Sequence, residues 1–99
     1  MSETVPPETD PTEAPAQPAT DERGRIIVDA LGLPCPQPVI MLATATRTAA
    51  VGDELRLLAD DQAADVDVPV WCRMQRQLLV SQTADGATLT FIVRKLREI

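Results

Sequence analysis

Three prolines surround a single cysteine in the run Leu33-Pro34-Cys35-Pro36-Gln37-Pro38, directly ahead of an apolar stretch with helical spacing. A residue before proline is pushed toward extended geometry, and an N-cap residue needs that same geometry, so Cys35 is predicted to be the N-cap of a helix. Pro36 then takes the first helical position and Pro38 lies in the first turn, where neither breaks a helical hydrogen bond. The run therefore predicts a helix whose first turn carries a thiol.

This geometry also sets an expectation for the sulfur. Pro36 and Pro38 have no N–H, so the N–H of Gln37 is the first-turn donor nearest to the Cys35 sulfur. That donor and the helix dipole both favour the thiolate over the thiol. We therefore expect a reactive Cys35 with a pKa below its ordinary value, against the simpler interpretation of a small buried cysteine.

Most of the net charge of −6 lies in the N-terminal part of the chain. Residues 1–24 hold five of the nine prolines and six acids against one arginine, and Val5 is their only large aliphatic residue besides Met1. Such a segment buries too little apolar surface to offset the entropy of ordering. We predict a disordered acidic tail over residues 1–24 and a folded domain over residues 25–99, whose eight bases and nine acids leave it nearly neutral.

Several function classes are disfavoured by what the chain lacks. It has no histidine and no tyrosine, and its two cysteines are far apart, which removes the usual zinc sites and histidine-based catalysis. We therefore expect no metal and no cofactor. The chain also shows no secretory signal pattern and no apolar run of membrane-spanning length, so we expect a cytoplasmic protein with free thiols.

Hydrophobic patterning predicts an α+β fold, with elements in the order βαβαββ. Asp85-Gly86 is a strong hairpin signal between the last two strands, in which Leu89, Phe91 and Val93 share one face. Several strands are polar on one side, so we predict a two-layer α/β sandwich with both helices on one face of a mixed four-stranded sheet. The strands are predicted over residues 25–30, 54–59, 77–83 and 87–95, with the first helix starting at Cys35 and a second helical segment following residues 60–61.

The second helical segment has Asp60-Asp61 as N-cap candidates and apolar residues every four positions, at Val66, Val70 and Met74. Pro69 predicts a kink or a pair of short helices. We interpret Cys72, which has no helix-start setting, as a packed core thiol.

The segment Asp29 to Pro38 resembles the signature of the TusA/SirA/YedF-like sulfur-carrier family, whose hallmark is C-P-x-P at the start of the first helix. Asp60-Asp61, the segment 67–69 with Cys72, and the closing strand 91–95 resemble further parts of that family, so the match spans roughly residues 26–96 in register. Gln62 departs from the family pattern, in which many members have proline after the acidic pair.

The resemblance implies that Cys35 accepts a sulfane sulfur as a persulfide from a cysteine desulfurase or another donor protein and passes it to an acceptor protein. Asp29, Pro36, Gln37 and Pro38 would support the thiol, although Asp29 is equally well interpreted as an exposed carboxylate at a strand end. Partner contacts are expected at Ile40 and Met41, which flank the polar side of the first helix, and at Arg94 and Lys95, for which solvated edge charges are the simpler interpretation.

Two alternatives stay open. The same fold resembles a translation-factor domain, so a regulatory or nucleic-acid-binding role is one, but the near-neutral domain and its two aromatic residues disfavour direct nucleic-acid binding. A protein-interaction module with an incidental cysteine is the other. The destination of the sulfur also stays open among tRNA thiolation, molybdenum cofactor synthesis, sulfur oxidation and selenium handling. A carrier that presents one cysteine to several partners is expected to be a monomer.

Overall fold

A computed structural model describes residues 19–99, and two helices and four strands follow one another there in the predicted order. Both helices pack on one face of the sheet, so the predicted two-layer α+β fold is confirmed. The elements are β1 (Ile26–Ala30), α1 (Gln37–Thr48), β2 (Glu54–Ala59), α2 (Ala64–Gln75), β3 (Leu78–Asp85) and β4 (Thr88–Arg94).

The sheet has the strand order β1-β2-β4-β3, with β1 and β2 parallel and the other neighbours antiparallel. Leu89, Phe91 and Val93 share a buried face of β4, as their alternation predicts. The C-terminal ends of β1 and β2 lie side by side at the same end of the sheet, and each strand is followed by a loop that leads into a helix. The loop after β1 carries Cys35, so we call this end of the sheet the Cys35 end of the domain.

The apolar residues that recur at Val66, Val70 and Met74 lie on the outer side of α2. Val66 and Met74 are 63% and 73% exposed, whereas Ala64, Val68 and Cys72 are buried against the sheet. Both sets recur every four residues, so periodicity fits either face. The face with Ala64, Val68 and Cys72 packs on the sheet, and the face with Val66 and Met74 is left on the outside.

The alternative of two short helices, predicted from Pro69, is wrong, because α2 is one helix of twelve residues. Proline removes a hydrogen bond to the carbonyl four residues earlier, which here belongs to Asp65. The Gln82 side-chain amide on β3 donates to that carbonyl at 3.1 Å. A neighbouring strand therefore satisfies the group that Pro69 leaves without a helical partner.

The predicted tail boundary at residue 24 falls inside an ordered turn. Thr20 forms an antiparallel bridge with Ile26, and the Asp21 carboxylate accepts the backbone N–H groups of Arg23 and Arg25, each at 2.9 Å. The folded part therefore includes residues 19–24, which the sequence assigned to the tail. Residues 1–18, which hold the rest of that predicted tail, lie outside the described residues.

Lys95 is a structural residue at the end of the domain opposite Cys35. Its side chain is 0% exposed, and its Nζ donates to the Ala49 carbonyl at 2.6 Å and to Glu98 Oε1 at 2.7 Å. The ammonium group thus binds a carbonyl at the C-terminus of α1, where the helix dipole favours a positive charge. The interpretation of Lys95 as a solvated edge charge or a partner contact is wrong, because its head group is buried and already bound.

Candidate functional site

Cys35 lies on the loop between β1 and α1, half-buried, at the Cys35 end of the sheet. The N-cap of α1 is Pro36 and the first helical residue is Gln37, so the predicted register of the helix start is wrong by one residue. Cys35 therefore stands just outside the helix, and Pro38 occupies a position in its first turn.

The donor predicted for the sulfur is engaged elsewhere. The backbone N–H of Gln37 donates to the carbonyl of Pro34 at 2.9 Å, which closes a turn around the cysteine. The prediction that Gln37 donates to the Cys35 sulfur is therefore wrong. The prolines and Gln37 shape the loop that presents the thiol, and they do not bind it.

The electrostatic surroundings of the sulfur are acidic. Partial burial, a hydrogen bond to the Asp67 carboxylate and the charges of Asp61 and Asp67 all raise the pKa of the Cys35 thiol above its ordinary value. The predicted decrease of this pKa is therefore wrong. The thiol lies outside the first turn of α1, and the carboxylates of Asp61 on the β2–α2 loop and Asp67 on α2 favour its protonated form.

Two aspartates of the β2–α2 loop hold the cysteine loop in place. Both carboxylate oxygens of Asp60 accept the backbone N–H of Gly32 at 3.0 Å. Asp61 Oδ2 accepts the backbone N–H of Cys35 at 3.0 Å, and its Oδ1 accepts the backbone N–H of Ala63 at 2.9 Å. These donors also lower the pKa of Asp61, so the carboxylate stays charged and links the thiol loop to the start of α2.

Sequence reasoning assigned Asp60 and Asp61 only to the capping of the second helix and therefore missed their contacts with the cysteine loop. Asp67 was noted within the resemblance but given no role. The parallel pairing of β1 and β2 could have indicated these contacts, because it places the loops that follow the two strands side by side.

Asp29 is exposed, and its Oδ1 accepts the backbone N–H of Leu31 at 3.0 Å. This is a local turn contact at the first residues of the cysteine loop. It is compatible with the loop-shaping role that the resemblance implies for this carboxylate.

The structure separates the four residues expected to contact partners. Ile40 is 49% exposed in the second turn of α1, and Met41 is partly buried against the core. Arg94 pairs with Glu54 at the start of β2, about 17 Å along the sheet from the strand end that leads to the site. Arg94 and Lys95 therefore do not lie with Cys35.

An open groove of about 250 Å³ runs between α1 and α2 beside Cys35. Its apolar walls are built by both helices, and Asp67 lies at its margin. Sequence reasoning missed it because the exposure of Val70 and Met74 depends on how α2 packs on the sheet. We call this feature the α1/α2 groove, and its lining residues are Pro36, Val39, Asp67, Val70, Trp71 and Met74.

The second cysteine differs from the first in its exposure and its surroundings. Cys72 is 2% exposed and packs within the core, and burial raises its pKa to about 11. The prediction of a packed core thiol is confirmed. Among residues 19–99, Cys35 is thus the thiol that a reactant can approach.

A comparison with protein families decides the relationship of the chain. The family model described as "Sulfurtransferase TusA" matches residues 26–95, which covers every strand and helix described above. The chain belongs to the TusA family. This assigns it to a family of sulfur carriers that work with partner proteins, and residues 29–38 carry the resemblance that first indicated it. Within residues 19–99, neither helix has the length and apolar character needed to cross a bilayer.

Proposed function

We propose that this TusA-family protein is a sulfur relay that accepts a sulfane sulfur on Cys35 as a persulfide and delivers it to an acceptor protein. The observation that carries the proposal is the presentation of a half-buried thiol on a loop held by Asp60 and Asp61. The second thiol, Cys72, is sealed in the core and cannot meet a partner without unfolding.

The transfer step is a thiolate exchange. The Cys35 thiolate attacks the terminal sulfur of a persulfide on the donor, the S–S bond of the donor breaks, and the donor cysteine leaves as a thiolate. A new S–S bond then joins that sulfur to Cys35, and no external oxidant or reductant is consumed. No general base is required, which suits a chain that has no histidine.

The raised pKa of Cys35 is compatible with this chemistry. A smaller fraction of the thiol is ionised at neutral pH, but a thiolate of higher pKa is a stronger nucleophile, so part of the loss in rate is recovered. The free carrier then keeps a less reactive cysteine until a partner engages it.

The experiment is loading by a purified cysteine desulfurase with cysteine as the sulfur source, followed by intact mass spectrometry. We expect the chain to gain one sulfur atom that dithiothreitol removes. Cys35→Ser should abolish the gain, whereas Cys72→Ser should load like the parent protein. Loading that requires Cys72, or no loading by any donor, would contradict the proposal and favour an interaction module with an incidental cysteine.

A further inference from the structure

The fold separates the charges of the domain in a way that its near-neutral total conceals. The segments that build the Cys35 end are residues 29–41, 58–70 and 83–90, and they contain six aspartates and no lysine or arginine. The remaining described residues contain nine bases and five acids. The Cys35 end is therefore strongly negative, and the opposite end is positive.

The negative end also carries exposed apolar side chains. The α1/α2 groove begins at Pro36, next to Cys35, and extends between the helices to Met74, which is 73% exposed and lies beyond the negative segments. Leu31 and Leu33 on the cysteine loop and Ile40 on α1 are exposed as well. Clustered exposed apolar residues around a reactive group indicate a contact surface.

We propose that the α1/α2 groove binds a protein partner whose surface has an apolar centre surrounded by lysine and arginine side chains. Docking there places the reacting group of the partner next to Cys35. The inference deepens the proposed function, because it gives the chemistry of the surface that must approach the thiol. Charge complementarity selects this occupant: the six aspartates attract a basic rim, and the groove accepts its apolar centre.

Other occupants are disfavoured by the same charges. Nucleic acid and anionic membrane surfaces are repelled by the negative end. Residues 1–18 contain four acids and no base, so the N-terminal segment of the chain is also repelled. A second copy of this chain could dock through its positive end, and the test distinguishes this outcome.

Docking also changes the ionisation of the Cys35 thiol. Asp61 and Asp67 favour the protonated thiol in the free protein, and a partner that neutralises them removes that effect. A basic partner therefore increases the thiolate fraction of Cys35 as it binds, whereas an acidic or neutral protein leaves the thiol as it is.

Two synthetic peptides test the inference without a natural partner. Each contains one cysteine activated as a 2-pyridyl disulfide and one leucine, with either three arginines or three glutamates at the same positions. The Cys35 thiolate attacks the cysteine sulfur of the peptide, a Cys35–peptide disulfide forms, and pyridine-2-thiol leaves and is followed by its absorbance. The ratio of the two rates measures the charge preference of the site, which combines docking of the peptide with any change that docking causes in the thiolate fraction of Cys35.

We expect the arginine peptide to react at least about ten-fold faster than the glutamate peptide at low salt, with the ratio falling toward one in about 1 M salt. The double variant Asp65→Asn, Asp67→Asn should reduce the ratio, whereas Glu22→Gln, which removes one negative charge at the opposite end, should leave it unchanged. Met74→Ser should slow the arginine peptide, and Val51→Ser, an exposed apolar residue elsewhere, should not.

Equal rates at low salt, or equal responses to the two charge variants, would overturn the inference. So would salt-sensitive dimers in sedimentation experiments that Asp65→Asn, Asp67→Asn abolishes, because the occupant would then be a second copy. Loading by a desulfurase separates the two proposals. Loading without a peptide preference removes the docking inference alone, and a peptide preference without loading removes the persulfide relay alone.

Discussion

The two ends of the domain use charged residues in opposite ways. At the end away from Cys35, Glu54 joins Arg25 and Arg94 across neighbouring strands, and Asp21 contacts Arg25 and Arg56. At the Cys35 end, the carboxylates of Asp60 and Asp61 meet backbone N–H groups, with no cationic side chain supplied by the surrounding segments. Ion pairs at the first end offset part of its positive charge, whereas the carboxylates at the second end keep a net negative field.

The difference shows which end maintains the fold and which end is available to a partner. Exposed ion pairs contribute little to stability, but the buried Lys95 ammonium replaces its hydration with fixed contacts to protein groups. The Cys35 end has exposed apolar side chains and unneutralised carboxylates, which are features that folding alone does not favour.

The largest effect is expected from Lys95→Met, which keeps the volume of the side chain and removes its ammonium group. The Ala49 carbonyl loses its bond to a charged donor, and we expect a loss of about 2–3 kcal/mol in the free energy of unfolding. Urea denaturation measures it. Arg97→Met, at an exposed position two residues further along the chain, is the control and should change stability little. A Lys95→Met protein as stable as the parent would mean that this end is not the stabilising one.

A smaller loss is expected from Cys72→Ser, which places a hydroxyl among buried apolar side chains. The cost should be about 1–2 kcal/mol, since the new polar group is buried. Cys35→Ser, the matched change in the loop, should stay within about 0.5 kcal/mol of the parent. Thermal or urea unfolding of both variants tests this, and equal losses would contradict the assigned environments of the two thiols.

Asp61→Ala tests whether the carboxylate positions the thiol loop. The Cys35 N–H loses its acceptor, and we expect sulfur loading to slow by about ten-fold because the thiol is less well oriented. The rate should be compared under single-turnover conditions with Asp53→Ala, a loop aspartate at the other end. Alkylation of Cys35 by a small reagent needs no docking and should not show the same decrease. If it did, Asp61 would act on reactivity and not on orientation.

The pH dependence of alkylation tests the acidic surroundings of the sulfur. Because the pKa of Cys35 is raised, its reaction with iodoacetamide should increase at a higher pH than that of a free cysteine. Asp67→Asn removes one cause of the shift and should move the profile to lower pH, whereas Glu22→Gln should not. Cys72 should react only after denaturant is added. A Cys35 profile below that of free cysteine would restore the original helix-start interpretation.

The smallest effect is expected from shortening the N-terminus. Removal of residues 1–18 should leave the melting temperature unchanged, whereas removal of residues 1–24 should lower it, because Asp21 and its bonds to Arg25 are lost. Differential scanning calorimetry of both truncations checks the boundary. Identical melting temperatures would restore the boundary at residue 24.

The sequence by itself determined the order of elements, the fold class and the family. Those features rest on local signals: alternation in the strands, the Asp85-Gly86 turn and the prolines around Cys35. It also distinguished the two thiols, because only Cys35 has the proline-flanked setting. Residues a few positions apart along the chain were sufficient for each of these conclusions.

The tertiary structure alone decided the direction of the Cys35 pKa shift, the exposed face of α2 and the burial of Lys95. Asp61 and Asp67 are far from Cys35 along the chain, and only the parallel pairing of β1 and β2 brings their loop and helix beside it. Val70 and Val68 suit an inward position equally well by periodicity, but in the folded domain Val68 is buried and Val70 is 37% exposed. The folded domain is nearly neutral in total, but its two ends carry opposite charge. The directions of the strands and helices fix the end at which each charged residue lies.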